Sequence, residues 1–169
     1  MTTLLTLSDQ ASARIAVVGP GGDQTLGARV WPVGLSIVGE MLRKYGLEDR
    51  VTLVAGDMFA GLPTGFGAHL YSNMFHDWDV ESCHRLAKIS FDTLAPGGRI
   101  LLCEVPIDDT RDGPLFAACF TVAMLIRERG RQYSIPEFRE MLTGAGFMNF
   151  GSQQIFGYYH LISAQKPLG

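Results

Sequence analysis

Three polar residues at the ends of strand-like stretches have the types and positions that chemistry requires. Asp57 closes one apolar stretch, His76 follows a second at residues 68–73, and Glu104 ends a third. In a parallel sheet the carboxyl ends of all strands face one edge, and such sheets bind their ligands there. The sequence therefore predicts that Asp57, His76 and Glu104 lie around one cleft.

His76 is the candidate base of this cleft. An imidazole titrates near neutral pH, so it can take a proton from a phenol or an alcohol. A carboxylate on its other nitrogen would fix the tautomer and stabilise the imidazolium, and Glu104 is well placed for that role. The alternative is a core histidine bonded to backbone, and spacing alone does not separate the two. The remaining histidines lack a matching carboxylate and are interpreted as surface or packing residues: His69, His84 and His160.

Asp57 and Met58 form a second candidate pair. A carboxylate at a strand end can accept hydrogen bonds from the exocyclic amine of a purine, and a neighbouring thioether can cover a flat ring face. The alternative is an Asx-type turn that closes the strand. The chain has no Cys-x-x-Cys spacing and no other metal-ligand pattern, so we expect no metal site.

The composition is that of one globular domain without nucleic-acid or membrane partners. The chain has 169 residues, 47% of them hydrophobic and 18% charged. Its net charge of -3, without a basic run, argues against nucleic acid. No window reaches the roughly 18 uninterrupted apolar residues of a membrane span, and residues 1–7 lack the pattern of a signal peptide. Three scattered cysteines indicate reduced thiols and a cytoplasmic protein.

The N-terminal region allows two interpretations. Residues 13–18 have the pattern of a strand, which Gly19-Pro20-Gly21-Gly22 interrupts. A strand followed by glycines is typical of a nucleotide-binding loop, but such a loop should open a helix. Only residues 23–27 separate these glycines from the next strand-like stretch, so an ordinary turn or a disordered arm is the other interpretation. We divide the chain into an atypical arm, residues 1–27, and an α/β domain, residues 28–169.

Strand and helix patterns alternate in the first half of this domain. Short apolar runs at residues 51–55, 68–73 and 99–105 predict buried strands. Apolar residues at helical spacing predict a helix that ends at Gly46 and another that follows Trp78. This alternation indicates a parallel sheet with helices on its faces.

The second half adds two helices and a hairpin. Residues 115–126 are apolar nearly all round, which predicts a helix that is buried on most faces or packs on a partner. Ser134 and Glu137 form a capping box that begins the next helix. The tail predicts two strands bent near Gly157, which should pair as an antiparallel hairpin at the sheet edge. The predicted fold is therefore an α/β sheet, mostly parallel, with an antiparallel C-terminal hairpin.

Four blocks of the sequence resemble one enzyme family when taken together. Residues 50–59 and 72–78, the latter reading Ser-Asn-Met-Phe-His-Asp-Trp, are followed by residues 94–104 and by the pair of stretches at 134–138 and 142–147. Their order and spacing resemble the S-adenosylmethionine-dependent small-molecule O-methyltransferases, which include plant caffeate-type and bacterial polyketide or antibiotic enzymes. The resemblance covers about residues 35 to 166 and implies a Rossmann-like methyltransferase sheet.

The resemblance implies a reaction and two catalytic residues. His76 would be the general base that deprotonates the acceptor hydroxyl, and Glu104 would be one of two acids that hold this histidine. The reaction would be in-line transfer of a methyl group to an oxygen of a small, aromatic or polyketide-type acceptor, helped by positioning and by the base.

The same resemblance implies binding roles for five residues. Asp57 and Met58 would contact the adenine of S-adenosylmethionine, and Ser72 would belong to the cofactor side of the site. Asp77 would line the acceptor pocket, and Met124 would sit against the acceptor ring.

The sequence also departs from this family. Family members are longer, with an N-terminal winged-helix region that dimerises and a glycine-rich loop after the first strand. Residues 30–33 lack the acid expected to bind the ribose, and Gln132 stands where the second histidine-holding glutamate is expected. These departures predict an incomplete first strand–helix unit, so binding of S-adenosylmethionine by this chain alone is not assured.

Two functions remain in competition at the level of sequence. One is an O-methyltransferase, or one subunit of a split enzyme in a homo- or hetero-oligomer whose partner chain supplies the missing parts. The other is a non-catalytic, methyltransferase-like protein that binds and stabilises a complete methyltransferase. A truncated gene product that merely folds is a third interpretation.

Overall fold

A computed structural model describes residues 15–18, 40, 43–46, 57–127 and 129–169 of the chain. In chain order, its strands and helices are β1 (Ile15–Val18), β2 (Ala68–Ser72), a 3₁₀ helix (Phe75–Asp77), α1 (Val80–Thr93), β3 (Arg99–Glu104), α2 (Leu115–Arg127), α3 (Ile135–Gly144), β4 (Met148–Phe156) and β5 (Tyr159–Gln165).

The described strands form one mixed sheet in the order β1-β2-β3-β5-β4. β2 pairs in parallel with both β1 and β3, whereas β5 pairs antiparallel with β3 and β4. The α/β class and the C-terminal hairpin are thus confirmed. Two of the described pairings are parallel and two are antiparallel, and they do not test the predicted parallel majority, which included strands at residues 28–31 and 51–55. The strands expected at residues 28–31 and 51–55 lie outside the described residues.

β1 lies within the residues that we assigned to an N-terminal arm. Ile15 pairs with Ala68 and Val18 pairs with Tyr71, so this segment is a parallel neighbour of β2. The strand predicted at residues 13–18 is therefore present, and part of the arm belongs to the sheet. Gly19 to Gly22 follow it outside the described residues, so the choice between a nucleotide loop and a turn stays a prediction.

Capping residues in the sequence explain where α1 and α3 begin. The side chain of Asp79 accepts a hydrogen bond from the Ser82 N–H at 2.8 Å and caps α1. Glu137 accepts the Ser134 N–H at 2.8 Å at the start of α3, as a capping box requires. The helix predicted to end at Gly46 is described at residues 43–45, and Gly46 has the left-handed φ of 62° that suits glycine.

The main core lies between the sheet and the helices α1 and α3. Its fully buried side chains come from the sheet, from α1 and α3 and from the 3₁₀ helix, and include Tyr71, Phe75, Leu86, Leu102, Phe138 and Ile162. α2 packs differently, because Ala117 is buried while Leu115 and Val122 are exposed. In the described part of the chain no helix is long and apolar enough to cross a membrane. The same residues contain no His, Cys, Asp and Glu cluster that fits a metal ion.

Glu137 connects the start of α3 to the loops on either side of α2. Its carboxylate accepts hydrogen bonds from Arg111 at 2.7 Å and from Arg131 at 2.6 Å, besides the Ser134 N–H. Burial alone would raise the pKa of Glu137, but the two arginines and the backbone N–H lower it to about 2. A carboxyl with a lowered pKa stabilises the fold above its ordinary pKa of 4.5, and this contribution is lost as the pH falls towards about 2.

Replacing Glu137 by glutamine is therefore expected to lower the free energy of unfolding by about 1 kcal/mol at pH 7, since solvent screens a partly exposed network. Urea denaturation should show this difference narrowing as the pH falls from about 4.5 towards 2. Glu140→Gln, an exposed change on the same helix, is the matched control and should stay within about 0.5 kcal/mol of the parent protein. A Glu137→Gln deficit that does not depend on pH would contradict the charge explanation.

Candidate active site

The candidate site begins at the carboxyl end of β2. Asn73 has a φ of 52°, rare outside glycine, while its N–H still bonds to the Cys103 carbonyl at 3.0 Å. The chain then turns at once into the 3₁₀ helix that contains His76. Met74 and Phe75 are fully buried beneath this turn. A strained strand end held by buried neighbours is a common setting for functional side chains.

Glu104 is tied to this turn through both of its oxygens. Ser72 pairs with Cys103 in the parallel register, which brings the end of β3 beside the start of the 3₁₀ helix. One oxygen, Oε1, accepts the N–H groups of Met74 and Phe75, each at 2.8 Å. The other, Oε2, lies 2.6 Å from Nδ1 of His76. Such bonds to an anion at a helix start are among the stronger ones in proteins.

The hydrogen bond between His76 and Glu104 determines which imidazole nitrogen carries the proton. Because the Glu104 carboxylate can only accept, the hydrogen bond places a proton on Nδ1 and leaves Nε2 as the basic nitrogen. Nε2 lies 3.4 Å from Oδ1 of Asp77. Burial alone would lower the pKa of His76, but its bond to Glu104 and the charges of Glu104 and Asp77 raise it above 6.5. The structure thus brings together three predicted site residues: His76, Glu104 and Asp77.

Three residues that the sequence patterns did not indicate contact His76 or the short segment that follows it. The ring of Phe120 meets the imidazole edge to face, with centroids 5.3 Å apart and planes at 84°. Gly130 lies against the backbone of His76 and Asp77. The Tyr133 hydroxyl donates to the Trp78 carbonyl at 2.6 Å. None of these contacts follows from sequence spacing, because each crosses from α2 or the loop after it.

Gly130 allows the closest backbone approach at the site. A β-carbon at this position would lie 2.0 Å from the His76 carbonyl oxygen and 2.6 Å from its carbonyl carbon. We expect Gly130→Ala to lower the free energy of unfolding by about 2–3 kcal/mol, since backbone must move to admit the methyl group. Chemical denaturation measures this loss.

Gly144→Ala is the matched control for this change. A β-carbon there would meet only the His84 ring at 3.8 Å, and the residue ends a helix. The control should be neutral or slightly stabilising, by up to about 1 kcal/mol. Equal stability of the Gly130→Ala variant and the parent protein would contradict the close approach.

The predicted cofactor-side residues have mixed surroundings. Asp57 is exposed, and its Oδ1 accepts the Phe59 N–H at 2.9 Å, which is the Asx-type turn considered as the alternative. Met58 is 4% exposed and packs in the main core, so its thioether presents little surface to a flat ring. Ser72 is exposed at the carboxyl end of β2, where a parallel sheet binds ligands. The residues predicted around the methionine and ribose lie outside the described residues.

Met124, predicted at the acceptor side, and Gln132 are both buried. Met124 is 8% exposed on α2, and Gln132 is 1% exposed in the loop that follows. The Gln132 N–H bonds to the Thr121 hydroxyl at 3.3 Å, which joins this loop to α2. The amide Nε2 and Oε1 of Gln132 have no hydrogen-bond partner among the described residues. A buried amide without partners is unusual and points to a missing polar neighbour.

Comparison with known proteins identifies the family of the chain. A family model described as an O-methyltransferase domain matches residues 33–148. A 3-hydroxy-5-methyl-1-naphthoate 3-O-methyltransferase from Streptomyces sahachiroi is 35% identical over 112 residues, which are 66% of this chain and 32% of that protein. The crystal structure of an O-methyltransferase family 2 protein from Planctomyces limnophilus, in complex with apigenin, is similar at a TM-score of 0.78 and 30% identity. That match covers 90% of this chain and 50% of the other.

A more distant structure shows the same fold. Human N-acetylserotonin methyltransferase in complex with S-adenosylmethionine matches at a TM-score of 0.69 and 22% identity, over 90% of this chain and 47% of that one. The chain thus spans about a third to a half of the length of these proteins. The matched region includes His76, Glu104 and the loop up to β4. Because the family model covers most of the sequence, this chain belongs to the O-methyltransferase family, whose members use S-adenosylmethionine as the methyl donor.

Proposed function

We propose that this chain is the acceptor-activating part of an S-adenosylmethionine-dependent O-methyltransferase, with His76 as the general base. The acceptor is a hydroxyl of a small aromatic or polyketide-type molecule. One observation carries the proposal: a buried imidazole is held by a fully buried carboxylate, so that Nε2 is its basic nitrogen. Catalytic imidazoles are oriented in this way by a carboxylate behind them.

The step follows from the assignment of protons. S-adenosylmethionine, when bound, supplies an electrophilic methyl group on a positively charged sulfur. His76 accepts the acceptor's hydroxyl proton at Nε2, and Glu104 stabilises the imidazolium that forms. The acceptor oxygen, freed of its proton by His76, would receive the methyl group, and the electron pair of the broken carbon–sulfur bond would stay on the sulfur of the departing cofactor. Asp77, 3.4 Å from Nε2, adds a negative charge that favours the protonated ring.

The residues at the sheet edge fit the cofactor in part. The exposed carboxylate of Asp57 would accept a hydrogen bond from the exocyclic amine of the adenine. The exposed hydroxyl of Ser72 would face the cofactor at the end of β2. Met58 fits less well, because its side chain belongs to the core. The mechanistic proposal therefore rests on His76 and Glu104 rather than on the cofactor side.

The alternative function, a non-catalytic methyltransferase-like partner, is supported by Gln132. The resemblance places a glutamate at this position, whereas the amide present in this chain carries no charge and has no partner among the described residues. A split enzyme would reconcile both observations, since a second chain would supply the missing polar groups. The exposed apolar side chains of α2, such as Leu115 and Val122, support a homo- or hetero-oligomer of this kind.

One experiment separates the enzyme from the auxiliary protein. The purified chain is titrated with S-adenosylmethionine by calorimetry, alone and together with a complete methyltransferase chain. The same samples are assayed for formation of S-adenosylhomocysteine from a panel of phenols. Cofactor binding and turnover by the chain alone would contradict the auxiliary function. Absence of binding and of any added turnover in both settings would contradict the enzyme.

A further inference from the structure

The 3₁₀ helix that carries His76 is too short to fix its own position. Its backbone bonds run from the Asp77 N–H to the Met74 carbonyl at 3.3 Å and from the Trp78 N–H to the Phe75 carbonyl at 3.2 Å. Both distances are at or beyond the long end of the usual range, and a 3₁₀ turn has poorer hydrogen-bond geometry than an α-helix. The direction of the imidazole therefore depends on the groups that hold the two ends of this turn.

The two ends of the 3₁₀ helix are held from different parts of the chain. Glu104 of β3 accepts the backbone N–H groups at its start. At its other end the Tyr133 hydroxyl donates to the Trp78 carbonyl at 2.6 Å. Tyr133 is 1% exposed, and burial raises its pKa, so the hydroxyl keeps its proton and stays a donor. The helix is thus tethered at its start by a carboxylate and at its end by a phenol.

Tyr133 is itself fixed in direction by its neighbours. The guanidinium of Arg131 lies over the Tyr133 ring, 4.4 Å from its centroid. The same guanidinium donates two hydrogen bonds to the Glu137 carboxylate, at 2.6 Å and 3.1 Å, and such a bidentate pair holds it in one plane. The Tyr133 carbonyl accepts the Ile107 N–H at 3.1 Å, which fixes the backbone as well. Ring and backbone together therefore aim the hydroxyl at the end of the 3₁₀ helix.

A displacement of this end would reach the imidazole. Trp78 is two residues from His76, and Nδ1 of His76 lies only 2.6 Å from Oε2 of Glu104. A shift of a few tenths of an ångström would weaken so short a bond to a charged group. The other charged group that faces the ring is Asp77, 3.4 Å from Nε2, whereas Phe120 of α2 carries no charge. The position of the 3₁₀ helix thus sets the surroundings of the base.

From these contacts we propose that Tyr133 is a positioning residue for His76. Its hydroxyl holds the end of the 3₁₀ helix, so that Nδ1 of His76 stays on Glu104. Arg131 and Glu137 align the Tyr133 ring for this bond. The inference rests on the proposed function, because position matters to a base, but it concerns a bond that exists without cofactor or acceptor. It gives the loop between α2 and α3 a part in the chemistry without any contact to the reacting atoms.

Tyr133→Phe removes the hydroxyl alone and tests the proposal in the full chain without cofactor. The imidazole of His76 is titrated by NMR in isotopically labelled protein, and His76→Gln identifies its signal. In the parent protein the pKa of His76 lies above 6.5. In Tyr133→Phe this pKa should fall by about 0.5, because a looser bond to Glu104 opposes the effect of burial less. Arg131→Lys keeps the charge but not the planar fork, and it should lower the pKa in the same direction.

Tyr71→Phe is the matched control for loss of a buried hydroxyl. Tyr71 is also fully buried, and its hydroxyl lies 2.6 Å from Oγ of Ser90 on α1, not on the 3₁₀ helix. Both tyrosine variants lose one short buried hydrogen bond, so their urea midpoints should fall by similar amounts. The control should nevertheless leave the pKa of His76 within about 0.1 of the parent value.

Two results would overturn the positioning role. One is an unchanged His76 pKa in Tyr133→Phe despite a lower urea midpoint, since the hydroxyl would then support the fold alone. The other is an equal fall of this pKa in Tyr71→Phe, since the effect would then follow from general stability. Arg131→Lys applies the same criteria if Tyr133→Phe does not fold. The proposed function fails differently, by an absence of methyl transfer while the lower pKa in Tyr133→Phe is retained.

Discussion

Replacing Glu104 by alanine is expected to lower the free energy of unfolding by about 3–5 kcal/mol, the usual cost of removing one partner of a buried charged pair. The side chain is fully buried and accepts three hydrogen bonds, two from the backbone of Met74 and Phe75 and one from His76. Alanine leaves all three donors without a partner in a site that water does not reach. Urea denaturation at pH 7 should show a lower midpoint at an unchanged slope.

Glu104→Gln separates the structural and the chemical parts of this effect. Its amide oxygen can still accept the Met74 and Phe75 N–H groups, so most of the stability should be retained. Its amide nitrogen then faces Nδ1 of His76 as a donor, which favours the tautomer with the proton on Nε2. The glutamine variant should therefore fold but lose the base. A loss of less than about 1 kcal/mol in Glu104→Ala would contradict the three-bond arrangement.

Sequence patterns predicted much of the sheet because their causes are local. The short apolar runs predicted β2 and β3, and the bend near Gly157 predicted the β4–β5 hairpin. The capping box of Ser134 and Glu137 predicted the start of α3. β1 was harder to place, since a four-residue strand followed by glycines fits an arm as well as a sheet. Its pairing with β2 is a tertiary contact that no local pattern encodes.

Sequence patterns could predict only those residues of the candidate site that lie at the ends of strands. The parallel register of β2 and β3 brings Glu104 beside the turn that carries His76, so these two residues could be paired from sequence. Phe120, Gly130 and Tyr133 could not, because they reach the site from α2 and from a loop more than 40 residues further along the chain. The cofactor contact of Met58 stays a prediction, since a methionine next to a polar strand end is also an ordinary core residue and this one packs in the main core.

The largest effect on activity is expected from His76→Gln. Glutamine is close in size and can still bond to Glu104, but it has no basic nitrogen. General base catalysis typically contributes about 10²- to 10⁴-fold, so turnover of a phenol should fall by that factor in whichever assembly transfers the methyl group. The KM for the acceptor should change much less, because the lost interaction forms in the transition state. His84→Gln, on α1, is the matched control and should leave turnover within about twofold of the parent.

The pH dependence gives this prediction an independent readout. His76 must be neutral to accept a proton, and its raised pKa means that the parent rate should climb with pH through an apparent pKa above 6.5. A histidine with a raised pKa stabilises the fold below about pH 6.5, and that contribution is lost as the pH rises through the folded-state pKa. The stability of the parent protein relative to His76→Gln should therefore decline as the pH rises above about 6.5, by the same titration that increases the rate. A rate profile that climbs in the same way in His76→Gln would assign the base to another group.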